Sequence, residues 1–109
     1  MKNRIAVLAM SAAALAGCST TSAGLAEIDV DATYESDKSP KQVAICAVEQ
    51  MSVGEIRDDD VNYWIIRVNG WGVPVTRWDF KPREGGGTIV ELRSHFGVND
   101  GHNDVKPCL

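Results

Sequence analysis

Val61-Asn62-Tyr63-Trp64-Ile65-Ile66-Arg67-Val68-Asn69-Gly70-Trp71-Gly72-Val73-Pro74-Val75-Thr76-Arg77-Trp78 is the stretch on which the fold turns. Two apolar alternating runs, Val61 to Val68 and Trp71 to Trp78, flank Asn69-Gly70. Asn-Gly at such a point is the strongest short-range hairpin signal, because a type I′ turn requires positive φ at both central residues. Pairing Val68 with Trp71 across that turn sets the register. The period of two then places Trp64, Ile66 and Val68 on one face with Trp71, Val73 and Val75, and Tyr63, Ile65 and Arg67 on the other with Pro74, Thr76 and Trp78. The first set is expected to form the core, with Trp64 and Trp71 inside. The second set leaves Tyr63, Ile65 and Trp78 exposed, flanked by Arg67 and by Arg93 of the next strand. Exposed aromatics beside arginines have the composition of a protein contact, and a covering tether, tail or second layer is the alternative.

Working outward, Pro74 lacks an amide hydrogen, so pairing on its far side must be interrupted or absent. A third strand is expected from Thr88 to Phe96, with Val90, Leu92 and Phe96 inward and Ile89, Glu91, Arg93 and His95 outward. Glu84-Gly85-Gly86-Gly87 joins it to the hairpin. Three glycines could cradle a phosphate, but no Lys-Thr pair follows, so the run reads as a turn. Upstream, Ser39-Pro40-Lys41-Gln42 has the form of a capping box: Ser as N-cap, Pro at the first helical position, Gln at the third. Val43, Ala44, Cys46, Ala47, Val48 and Met51 recur at helical spacing after it, and Gly54 is the expected stop. An acidic turn, Arg57 to Asp60, leads into the hairpin.

The candidates for chemistry are sparse. His95 and His102 lie with Asp100 and Asp104 in a loop-like segment, but the spacing lacks the terminal glutamate of a calcium loop, and a solvated turn is the expected state. No serine stands in a nucleophile elbow. A glycosidase-type carboxylate pair has no local signature and stays open. The expectation is therefore no catalytic residues, no metal and no cofactor.

Lys2 and Arg4 precede an apolar run, Ile5 to Leu15, too short to cross a bilayer as a permanent helix. Leu15-Ala16-Gly17-Cys18 closes it. These parts resemble the signal peptide of bacterial lipoproteins, which implies cleavage between Gly17 and Cys18 and a lipid attached at Cys18. Losing two of the eleven basic residues and none of the fifteen acidic ones takes the net charge from −4 to −6. That sign argues against nucleic acid as a partner. With Cys18 lipidated, Cys46 and Cys108 can pair in one way, and an exported chain with a thin core gains from such a bridge. Two free thiols or a metal pair are the rival reading. Residues 18–38, rich in Ser, Thr, Ala, Asp and Glu, read as a flexible tether about 25 Å long. Alternation from Glu27 to Tyr34 offers an added edge strand instead.

Val43-Ala44-Ile45-Cys46, Arg77-Trp78-Asp79-Phe80, Gly87 to Arg93 and Cys108 resemble small proteobacterial lipoproteins without assigned function. The resemblance and the residues together predict three segments: a signal peptide over 1–17, a tether over 18–38, and one α+β domain over 39–109. That domain is expected to pack an N-terminal helix on a small antiparallel sheet of three to four strands, stapled by a disulfide. The implied role is a non-catalytic binding or accessory module facing the periplasm, held in the membrane by its lipid and contacting another envelope protein. Ser19, in place of the Asp that retains enterobacterial lipoproteins in the inner membrane, implies the outer membrane. Membrane-bound lysozyme inhibitors resemble the chain in size and disulfide habit, though not in their all-β order. Inhibition of an envelope hydrolase is therefore the alternative, followed by a small hydrolase or metal-binding protein.

Overall fold

The computed structural model describes residues 22–51, 54–95 and 101–109. In chain order they form α1 (Ser22–Leu25), β1 (Ala32–Ser36), α2 (Pro40–Gln50), β2 (Gly54–Asp58), β3 (Tyr63–Val68), β4 (Pro74–Pro82), β5 (Thr88–Ser94) and α3 (His102–Val105), then a 3-10 turn at Lys106–Cys108. The class is α+β, as expected. The sheet, however, has five antiparallel strands in the order β1-β5-β4-β3-β2, and the main helix follows a strand instead of opening the fold.

The two added strands are edges, and β1 overlaps the edge strand that the alternation from Glu27 to Tyr34 offered as the alternative to a tether. β1 comes from the segment read as a tether, and Ala32 to Ser36 pair with Leu92 to Thr88. Within that segment Leu25 and Ser36 are also buried, so residues 22–38 belong to the domain and are no free linker. β2 replaces the acidic turn: Gly54 to Asp58 pair with Arg67 to Tyr63, and Gly54 begins a strand where a helix stop was expected. The reversal lies at Asp59 and Asp60. The Asp59 side chain accepts from the amides of Val61 (3.3 Å) and Asn62 (2.9 Å), and Asp60 takes φ 81°. Those amide bonds, Asn62 first, hold the Asp59 carboxyl below its usual range.

The capping box forms as read. Ser39 Oγ accepts from the Gln42 amide, and Gln42 Oε1 accepts from the Ser39 amide. α2 ends at Gln50, with Met51 as an extended C-cap. Val43, Ala44 and Ala47 face the sheet and meet Ile65, Trp78, Phe80, Val90 and Leu92 there. α3 and the 3-10 turn close the same layer with Val105 and Cys108, and the Cys46–Cys108 disulfide joins that layer across a separation of 62 residues. Val90 and Leu92 point inward, as expected; Phe96 lies outside the described residues.

The hairpin shows the largest departure. Tyr63, Ile65 and Arg67 share a face with Thr76 and Trp78 as predicted, but Val68 does not pair with Trp71, which lies with Val73 outside β4. The face under the helix is the one that carries Ile65 and Trp78, and the face of Trp64 and Ile66 lies away from it. The turn is also longer than two residues. Val68 pairs with Pro74 and Arg67 with Thr76, with a bulge between Arg67 and Val68. Asn69 Oδ1 accepts from the amides of Trp71 (2.9 Å) and Val73 (3.1 Å), and Gly72, not Asn69-Gly70, takes positive φ. A side chain that satisfies two turn amides favours this wider loop over a type I′ turn. Strand β5 joins β4 only from Thr76 onward, so Pro74 owes it no amide.

Candidate functional site

Tyr63, Ile65, Arg67, Trp78 and Arg93 do not form the exposed face expected of them. Ile65 and Trp78 are fully buried under α2, and Tyr63 packs against that core from its rim. The Arg67 guanidinium lies 5.2 Å from the Trp78 ring centroid and pairs with Asp104 at 3.3 Å, so it closes the core beneath α3. Arg93 stands on the other side of the sheet, because its cross-strand partner is Arg77, one residue out of phase with Trp78.

That other side carries the charge. Alternation along β3, β4 and β5 places Trp64, Arg77, Asp79, Lys81, Glu91 and Arg93 away from α2. Asp79 is the centre. Its carboxylate accepts from Arg77 Nε at 3.0 Å and Nη2 at 2.8 Å, and from Arg93 Nη1 at 3.1 Å. Arg93 Nε also donates to the carbonyl of Ile28 at 3.0 Å, and Lys81 pairs with Glu91 at 2.5 Å. The hydrogen bond from Lys81, then the charges of Lys81 and Arg93, hold the Glu91 carboxyl below the usual range. Such mutual pairing is what makes a nearly buried carboxylate tolerable on a sheet. It also favours the ionised form of Glu91.

Beside this network the face opens into a cleft of about 250 Å³. Trp64 forms one wall, with the Arg77 guanidinium 5.1 Å from its ring centroid, and Ala26, just after α1, forms another. Asp59 and Asn62 complete its lining with Lys81 at the side. Mixed charge beside an indole can bind a zwitterionic or polyhydroxylic group. The signal for this face was present in the sequence as Arg77, Asp79 and Lys81 alternating with Trp78 and Phe80. The apolar residues of the earlier half of the hairpin, which are equally dense on both faces, masked it.

A second exposed feature is the tip of the β3–β4 hairpin. Trp71 is 90 % exposed, and Val68, three residues before it at the end of β3, is exposed as well. The Asn69 side chain and the Gly72-to-Asn69 backbone bond order this turn, so the indole is carried on a defined tip. From Val68 to Thr76 no residue is charged. An indole at the front of an ordered, uncharged loop is the composition of an interface anchor.

The histidine segment resolves differently. Most of its loop, residues 96–100, lies outside the described residues. His102 begins α3, and its Nδ1 is hydrogen-bonded to the Tyr34 hydroxyl, whose titration burial pushes upward. Among the described residues no three metal-ligating side chains converge, and no helix is long and apolar enough to cross a membrane. Gly17 and Cys18 also lie outside the described residues. No family model matches the chain, and no curated protein and no solved structure is significantly similar to it.

Proposed function

We propose that this protein is a lipid-anchored, non-catalytic module of the cell envelope, facing the periplasm, that binds another envelope protein through the Trp71 hairpin tip. The observation that carries the reading is the 90 % exposed Trp71 on a turn ordered by Asn69. An exposed indole on a pre-ordered loop loses little conformational entropy when it docks. The Lys2-to-Cys18 stretch supports the anchor, and Ser19 favours the outer membrane. The Cys46–Cys108 bridge suits an oxidising compartment. The ion-paired acids of the charged face support a role without acid-base chemistry.

The test is a photoreactive residue at position 71 in intact cells, with position 84, in the exposed glycine turn, as control. One discrete protein adduct from position 71, absent from 84 and lost with Asn69→Ala, is the expected result. Equal capture at both positions overturns the reading. Replacing Cys18 by Ala should leave an uncleaved or soluble form; mature, membrane-held protein from that variant would remove the anchor. A second reading, inhibition of a lysozyme-like hydrolase, is favoured by the same tip, which has the projecting form needed to enter a cleft. It predicts near-stoichiometric slowing of the hydrolase that Trp71→Ala abolishes.

A further inference from the structure

The chain enters the fold on the charged face. α1 packs against β4, Leu25 is fully buried outside the main core, and Ala26 lines the cleft with Trp64 and Lys81. α2 lies on the opposite side of the sheet. Four peptide steps separate Cys18 from Ser22, a reach of at most about 14 Å when fully extended. A lipid at Cys18 would therefore hold the charged face, and not the helix, toward the bilayer. The long stand-off expected from a free tether is lost, because residues 22–38 are folded onto the sheet.

From this placement, and resting on the lipid-anchor reading, we propose that the cleft seats the headgroup of a zwitterionic phospholipid from the leaflet that holds the anchor. The lining has both signs that such a headgroup needs: the half-exposed Lys81 ammonium can donate to a phosphate, with the Asp79-held Arg77 and Arg93 lending charge behind it, and exposed Asp59 can accept from an ammonium group. Lys81, with 45 % of its side chain exposed, lines the cleft, and Arg57, directly across from Trp64 on β2, is exposed on the same side of the sheet. Trp64 supplies an amphipathic indole of the kind that settles at the headgroup level. A headgroup of net zero charge also fits a chain of net negative charge better than an anionic one does, since bulk electrostatics would repel the latter.

The experiment uses the mature lipidated protein with Trp71→Phe, so that Trp64 and the buried Trp78 remain as fluorophores. It is reconstituted in phosphatidylcholine–phosphatidylethanolamine vesicles containing a headgroup-nitroxide lipid. Quenching of Trp64 is expected, absent when Trp64→Phe is added and lost in Lys81→Glu while the protein still sediments with the vesicles. Weaker quenching is expected in phosphatidylglycerol vesicles. Unquenched Trp64 in vesicle-bound protein overturns the proposal, as does equal quenching in Lys81→Glu or in phosphatidylglycerol. The mass of the mature protein reports the anchor separately: an unmodified Cys18 overturns the anchor reading and with it this proposal.

Discussion

Trp78→Ala and Trp71→Ala should behave oppositely. Trp78 fills the core under α2 and donates Nε1–H to the Gly101 carbonyl at 3.3 Å, so its truncation should cost about 3–5 kcal/mol in urea unfolding. Trp71 touches little, and its truncation should change stability by no more than about 0.5 kcal/mol while removing the position 71 interface. The sequence reading had assigned the two the reverse roles, since an indole next to a turn and an indole eight residues into a strand are equally apolar. Gly101 belongs to the same contact. It holds φ 112°, and a Cβ there would overlap the Trp78 ring. Gly101→Ala should therefore destabilise by about 1–3 kcal/mol, read as a lowered urea midpoint, by overpacking and backbone strain together.

Elements differ in how far local residues determine them. The start of α2 was legible because a capping box is a four-residue device that needs no tertiary partner. Ser39→Ala should cost about 1 kcal/mol by thermal denaturation, and Ser39→Gly less. β1 was legible only as the alternative to a tether, through the alternation up to Tyr34, and β2 was not legible at all, because edges need bury only one side and may be polar: every described side chain from Glu55 to Asp58 is exposed. They form because β5 and β3 offer unpaired backbone. The charged strip across β4 and β5 gives a pH prediction. Glu91 is held below the ordinary glutamate value near 4.5, chiefly by Lys81, so its contribution is present above that value and is lost as pH falls through the lower, folded one. Glu91→Gln should be less stable than wild type at neutral pH and should lose less stability on acidification, measured as urea midpoint against pH.

For the whole molecule, the disulfide links the helix layer to the chain end. The loop-entropy account assigns a bridge of this span about 4 kcal/mol. Cys46→Ser should match the reduced wild type in thermal stability, and Cys108→Ser should fall below it, because Cys108 is fully buried and a serine there adds a buried hydroxyl. Equal stability of oxidised and reduced protein would contradict this. What the sequence determined by itself is what short-range physics can state: a capped helix, a hairpin, a third strand with Val90 and Leu92 inward, and an α+β class. Which face of the hairpin lies under α2, the edge strands, and the assignment of Ile65 and Trp78 to the core were decided only by tertiary packing. Both faces of Val61 to Val75 are apolar, so the choice fell to the residues beyond, where Phe80, Val90 and Leu92 extend the Trp78 side into a continuous surface for Val43, Ala44 and Ala47, and Arg77, Asp79 and Arg93 can keep their charges only on the other side.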